Sequence, residues 1–488
     1  MDTTQAPALA GTGVPGLDDV LGGGLTPHRL YLLEGIPGSG KTTLAFQFLL
    51  EGVRCGETVL YVTLSETEEE IRAVAASHGW PLDGVRIYEL GPDETILEPD
   101  AQYTVFHPSE VELGDTTQRI LEHVGAVKPS RVVFDSLSEL RLLAGNALRY
   151  RRQILALKQY FAGRRCTVLM LDDLTGADHD LQVRSIAHGA ILLEHAVPAY
   201  GKLRRRLQVV KYRGARFRSG HHDYEIVRGG LVVFPRLVAA EHRQEGTHER
   251  VNSGVRELDQ LLGGGLERGT STLLTGAAGT GKSTLAASFA TAAAKRGERA
   301  AFFIFDESTN TLLTRTDGMG IDMRSAVDAG RISVRQIDPA ELSPGELSHA
   351  IRDAVEQDDA RIVVIDSLNG YLNSMPEERF LTIQLHEVLT YLGQRGVATL
   401  LISAHQGLLG PMNSPVDASY LADAIVLLRY YEAEGEVRQA ISVVKKRGGQ
   451  HERTIRDFRL TSDGVRVGEP LRDYRGVLTG VPERVRRS

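Results

Sequence analysis

The chain has 488 residues, 42% of them hydrophobic and 24% charged, with a formal net charge of −7. That mildly acidic balance argues against tight electrostatic binding of nucleic acid, although short basic runs occur at Arg204-Arg205-Arg206 and at 484–487. Two cysteines, Cys55 and Cys166, are too few for a disulfide framework. With no signal peptide and no run of about 18 apolar residues, a soluble cytoplasmic protein without membrane association is expected.

In chain order, the first feature is Gly13-Val14-Pro15-Gly16-Leu17-Asp18-Asp19-Val20-Leu21-Gly22-Gly23-Gly24-Leu25. An apolar run over 30–34 predicts a strand, and apolar residues at helical spacing over 43–53 predict a helix. Between them lies Gly35-Ile36-Pro37-Gly38-Ser39-Gly40-Lys41-Thr42, followed by Thr43, a full match to G-x-x-x-x-G-K-[ST]. Backbone N–H groups of such a loop wrap phosphates, the lysine neutralises the outer ones, and the hydroxyl ligates Mg²⁺. A strand over 58–64 and a helix over 68–78 come next. The apolar strand over 131–136 carries Asp135, placed to hold Mg²⁺ beside the loop at the carboxyl edge of a parallel sheet. Another strand is predicted over 167–171.

The pattern then begins again. Gly254-Val255-Arg256-Glu257-Leu258-Asp259-Gln260-Leu261-Leu262-Gly263-Gly264-Gly265-Leu266 repeats the opening segment. Gly276-Ala277-Ala278-Gly279-Thr280-Gly281-Lys282-Ser283, followed by Thr284, is a second complete phosphate loop. Leu17 and Leu258, like Lys41 and Lys282, stand 241 residues apart. Strands over 271–275, 300–305, 361–367 and 399–403, and helices over 285–294 and 310–319, repeat the first half, with Asp366 as the second Mg²⁺ aspartate. Length alone suggests about three domains at ~150 residues each, but the repeat overrides it. Two domains are expected, 1–240 and 247–488, joined by the polar stretch 241–246. The fold class is α/β: tandem P-loop NTPase domains, each a mainly parallel sheet flanked by helices and ending in antiparallel hairpins.

The whole chain resembles the KaiC family, tandem RecA-like ATPases of the circadian clock. The resemblance rests on the duplicated architecture, the LDxxLGGGL segments and a Lys-x-Arg-Gly motif late in each half, Lys211-Tyr212-Arg213-Gly214 and Lys445-Lys446-Arg447-Gly448. It implies ATP and Mg²⁺ as cofactors and a homohexameric ring in which Lys211, Arg213, Lys445 and Arg447 reach the γ-phosphate held by a neighbour. An arginine so placed stabilises charge on the transferring phosphoryl group. The family also carries a Glu-Glu pair after the second strand, where a carboxylate activates the attacking nucleophile. Here the pair reads Ser65-Glu66 in the first half and Asp306-Glu307 in the second. A serine is no general base at neutral pH, so first-site hydrolysis is expected to be slow or to depend on Glu66.

The resemblance further implies serine/threonine autokinase activity on an adjacent Ser-Thr pair in the second domain. Ser419 matches the serine and Tyr420 stands where the threonine would be, so both are candidate phosphoacceptors. The carboxyl-terminal extension through which clock members recruit KaiA is absent, so KaiA is not an expected partner, while a KaiB-like partner on the first domain is compatible with the resemblance. The expected division of labour is ring assembly by the first site and phosphoryl chemistry by the second, in signalling or timing. Two other readings stay open: a RecA- or DnaB-like motor on DNA, and a nonhydrolysing ATP-sensing scaffold. Among lesser features, His221-His222-Asp223 reads as a metal-free loop hairpin. Gln406, after His405, is a candidate γ-phosphate sensor, and Trp80 reads as a packing residue.

Overall fold

The structure is a computed structural model that describes residues 8–90, 108–174, 181–198, 200–242, 249–373, 381–405, 420–479 and 482–484. The chain divides into two compact units, Met1–Ala199 with Leu203–Arg236, and Tyr200–Lys202 with Leu237–Ser488. The main division therefore falls at Arg236, ahead of the expected 240, because Leu237 and Ala239 are buried in the apolar core of the second unit.

The first unit carries β1 (Leu30–Gly35), β2 (Val59–Thr63), β3 (Val85–Glu89), β4 (Arg131–Asp135), β5 (Thr167–Asp173), β6 (Gly189–Ala196), β7 (Arg204–Tyr212), β8 (His221–Val227) and β9 (Gly230–Phe234). They form one sheet in the order β3-β2-β4-β5-β1-β6-β7-β8-β9. Strands β3 to β6 of that order pair in parallel, and β6 to β9 pair antiparallel. Alternate residues of the parallel strands feed two separate cores. Tyr31, Leu33, Tyr61 and Val133 pack on one face, and Leu32, Leu60, Val62, Val132 and Phe134 on the other. Both faces are covered, which is why these strands read in sequence as continuous apolar runs rather than as alternation.

The second unit starts with a short pairing of β10 (Arg250–Val251) and β11 (Leu266–Glu267). Its main strands are β12 (Ser271–Gly276), β13 (Arg299–Ile304), β14 (Ile332–Gln336), β15 (Ala360–Asp366), β16 (Ala398–Ala404), β17 (Ala424–Ala433), β18 (Glu436–Lys446), β19 (Arg456–Thr461) and β20 (Gly464–Pro470). The order β14-β13-β15-β16-β12-β17-β18-β19-β20 repeats that of the first sheet, place for place. These are two large, mainly parallel sheets with flanking helices, the tandem RecA-like arrangement.

The Leu-Asp-x-x-Leu-Gly-Gly-Gly segments have a bracing role. Asp18 accepts from Thr12 N and Oγ1, and its carbonyl accepts from Gly23 N at 2.7 Å. Asp259 does the same with Ser253 N and Gly264 N. His221-His222 lies on strand β8, not in a loop. His222 is fully buried, with Nε2 2.9 Å from Arg218 O and Nδ1 accepting from Arg236 N, while His221 faces Glu194 at the surface. Trp80 packs against the first core, near Phe46 and stacked on His78. No described helix is long and apolar enough to cross a membrane.

Candidate functional site

Each phosphate loop joins the end of a central strand to the start of a helix, Lys41–Arg54 or Lys282–Lys295. The glycine before each lysine, Gly40 or Gly281, caps that helix in the left-handed region, with φ of 93° and 95°. A side chain at Gly40 would also meet Ile226 Cδ1 at 2.7 Å, so two constraints select glycine. Both lysines lie back along their loops. Lys41 Nζ donates to Gly35 O at 2.9 Å, and Lys282 Nζ donates to Gly276 O at 3.0 Å and Ala277 O at 2.7 Å. Ser39 and Thr280 anchor the loops from within: Tyr224 OH donates to Ser39 O, and Thr280 Oγ1 donates to Ala277 O.

The aspartates stand where the sequence places them. Thr42 Oγ1 donates to Asp135 Oδ2 at 3.1 Å, and the Ser283 hydroxyl lies close enough to Asp366 to favour its charged form. Each hydroxyl–aspartate pair is the donor set a hard divalent cation requires, oxygen only, one ligand from the loop and one from the neighbouring strand. Asp366 Oδ2 is buried with no hydrogen-bond donor, which fits a cation or its water shell at that position. Burial pushes Asp366 up to about 6 and Lys282 down to about 8, with Asp366 pulling the lysine the other way. The phosphate of a nucleotide would restore a counter-charge to that lysine.

Around this shared frame the two sites differ at four places that sequence reasoning missed. Asp173 ends β5 opposite Gly35 and holds Lys41 in a 2.7 Å ion pair, whereas Ala404 stands at that position in the second sheet. Glu34 accepts from Arg184 Nε at 2.7 Å, while the corresponding Thr275 Oγ1 meets His405 Nε2, also at 2.7 Å. Tyr61 OH donates to Asp135 Oδ2, where the second unit has Phe302. Arg315, one helix turn and more beyond Glu307, clasps it bidentately at 2.7 and 2.8 Å.

That last contact separates the carboxylates. Glu66 is half-buried; its Oε2 has no donor, and burial with the nearby Asp135 charge raises its carboxyl above the ordinary range. Glu307 is neutralised by Arg315, and Asp306 accepts a short hydrogen bond from Ser367 Oγ. The unengaged carboxylate of the two is therefore in the first site, despite Ser65.

The Lys-x-Arg motifs are not at their own loops. Tyr212 pairs with Gly189, which pairs with Tyr31 at the start of β1, while the phosphate loop leaves β1 at Gly35. Along extended strand that separation is about 13 Å at ~3.3 Å per residue. Lys446, Ala424 and Thr272 repeat the relation in the second sheet. Locally, Lys211 Nζ donates to the carbonyls of Arg184, Ser185 and Ala187, and Arg213 to Ser185 O. Lys445 Nζ donates to Ala422 O, and Arg447 to Asp423 Oδ1 at 3.3 Å and Tyr420 O at 3.0 Å. Tyr420 is exposed beside Arg447. Ser419 and Gln406 lie outside the described residues.

Comparison with known proteins agrees with this duplicated nucleotide-site geometry. A family model described as "ATPase: KaiC" matches residues 10–238 and again 251–472. A "Circadian clock protein KaiC3" from Synechocystis sp. is 29% identical, over 96% of this chain and 94% of its own length. A "Circadian clock oscillator protein KaiC" from Thermostichus vulcanus is 28% identical over 97% and 92%, and one from Parasynechococcus marenigrum 29% over 97% and 93%. The chain belongs to the KaiC family of ATPases.

Proposed function

We propose that this protein is an ATP-hydrolysing ring, a homohexamer as its resemblance to the KaiC family implies, in which each Lys-x-Arg-Gly motif serves the nucleotide of a neighbouring copy. The observation that carries the reading is the position of Lys211, Arg213, Lys445 and Arg447 at the edge of each sheet opposite its own phosphate loop. A cation there cannot reach the phosphates of its own domain. Head-to-tail contacts between copies would bring it to another's, and such contacts close into rings. Mg·ATP binding would use Lys41, Thr42 and Asp135 in the first domain and Lys282, Ser283 and Asp366 in the second.

Glu66 is the base assigned to first-site hydrolysis, because its carboxylate is unengaged and close to Asp135. The second site, with Glu307 clasped by Arg315, is assigned the slower chemistry. Autophosphorylation there is supported by Arg447, which bonds the carbonyl of Tyr420, the residue next to Ser419. A neighbour's γ-phosphate drawn to Arg447 would therefore arrive near Tyr420, and in-line transfer needs an acceptor close to the γ-phosphate.

Size-exclusion chromatography with light scattering, in ATP and in ADP, tests the ring, and mass spectrometry of the same fractions tests the kinase. A hexamer that is ATP-dependent, with phosphate on Ser419 or Tyr420, is the expected result. A monomer at all nucleotide concentrations removes the trans reading, and an unmodified 415–430 peptide removes the kinase.

A further inference from the structure

The two Mg²⁺ aspartates lie in identical sheets yet have different neighbours, so each serves as the control for the other. Tyr61 on β2 pairs with Val133, two residues before Asp135 on β4; Phe302 on β13 pairs with Val364, two residues before Asp366 on β15. Side chains two apart on a strand share a face. Tyr61 and Phe302 therefore occupy one structural position beside the metal carboxylate, and differ by a single hydroxyl. In the first unit that hydroxyl donates to Asp135 Oδ2, the same oxygen that accepts from Thr42. In the second unit Asp366 Oδ2 is buried with no donor.

The ring of Tyr61 is itself fixed. It is fully buried and stacks on Phe46 at 4.9 Å with 5° between planes, and Phe46 belongs to the helix that begins with Lys41 and Thr42. At the corresponding position the second helix has Ala287. Hydroxyl, carboxylate and loop threonine are thus held in one rigid arrangement in the first unit. With both donors on Oδ2, the other oxygen, Oδ1, would be left to face a bound cation or its water shell. Asp366 has no such brace from its strand neighbour. Partners that orient a metal carboxylate typically change metal affinity 10–100-fold when removed.

We propose that Tyr61 is a positioning residue for the divalent cation of the first site, and that it makes the first site bind the metal of a metal–nucleotide complex more tightly than the second. The inference rests on the reading of Asp135 and Asp366 as metal carboxylates and adds a functional difference between them.

Mn²⁺ binding followed by electron paramagnetic resonance, on full-length protein saturated with a nonhydrolysable ATP analogue, tests it. The wild type is expected to show two classes of Mn²⁺ site, with Lys41→Ala abolishing the tighter class and Lys282→Ala the weaker. Tyr61→Phe should raise the Kd of the tighter class by about tenfold, with metal-free analogue affinity unchanged, and Phe302→Tyr should lower the Kd of the weaker class. An unmoved Mn²⁺ Kd in a folded Tyr61→Phe protein overturns the proposal. If that variant does not fold, failure of Phe302→Tyr to tighten the second class overturns it. Loss of analogue binding by the wild type would instead strike the proposed function, so the two failures are distinguishable.

Discussion

The two halves share strand order, loop geometry and metal aspartate, and they differ in which charge is already engaged before nucleotide arrives. In the first site the lysine is held, by Asp173, and the Oε2 of Glu66 is unengaged. In the second the lysine bonds loop carbonyls, and the carboxylate of Glu307 is held, by Arg315. Phosphate binding at the first site must displace or share an ion pair on Lys41, whereas any use of Glu307 as a proton acceptor at the second must draw it away from a guanidinium. A bidentate arginine–carboxylate pair is among the stronger side-chain contacts. Duplication has preserved the scaffold and let the electrostatics diverge.

The largest effect should come from the residues both halves keep. Arg213→Ala and Arg447→Ala, measured by phosphate release, should each cost about 10³-fold in turnover at the site they serve. Mixing Arg213→Ala with Lys41→Ala protein should restore activity, since mixed rings contain intact loop–finger pairs; no restoration would show that the arginines act within one chain. Next comes the comparison itself. Glu66→Gln should lower total hydrolysis about 10²-fold, the low end for a general base, while Glu307→Gln changes it little. Equal losses in the two variants would erase the distinction between the sites.

Much of this was legible in the sequence, for identifiable reasons. The phosphate loops and the strands ending in Asp135 and Asp366 are local patterns, set by glycine geometry and continuous apolar runs, and the structure places them within a residue or two of expectation. The helix over Glu68–His78 was legible too, because Thr67 and Glu70 form a reciprocal cap at its start and Gly79 ends it. What decides the character of each site was not legible. Asp173 reaches Lys41 from a strand more than a hundred residues later, and Tyr61 looked like one more apolar strand residue. The Glu307–Arg315 pair spans two helical turns and a capping turn, beyond the i,i+4 spacing at which such pairs are recognised. His221-His222 reads in sequence as a turn because a buried polar strand residue resembles a turn residue in isolation from its partners, here Arg218 O and Arg236 N.

Releasing Glu307 gives a smaller and more pointed test. In a Lys41→Ala background, where only the second site turns over, Arg315→Ala should raise hydrolysis about 3- to 10-fold, well within what a positioned base supplies. An unchanged or lower rate would mean that Arg315 positions Glu307 for chemistry instead of restraining it.

The smallest effect concerns stability and separates the units by pH. Burial pushes His222 down from 6.5 to about 4, while its counterpart in the second sheet, Arg456, is paired with Glu452. A depressed folded pKa means that the neutral ring is favoured in the native unit and that the unfolded chain takes up the proton first. Its stabilising contribution is therefore full above pH 6.5 and is lost progressively as pH falls toward 4. Between pH 7 and 5.5 the loss should be about 1 kcal/mol. Trp80 is the single tryptophan and lies in the first unit, so its fluorescence in urea titrations reports that unit alone. His222→Gln should be less stable at pH 7 and lose less on acidification. A pH dependence identical to wild type would place the acid sensitivity of the first unit elsewhere, with the carboxylates around Lys41 as the next residues to examine.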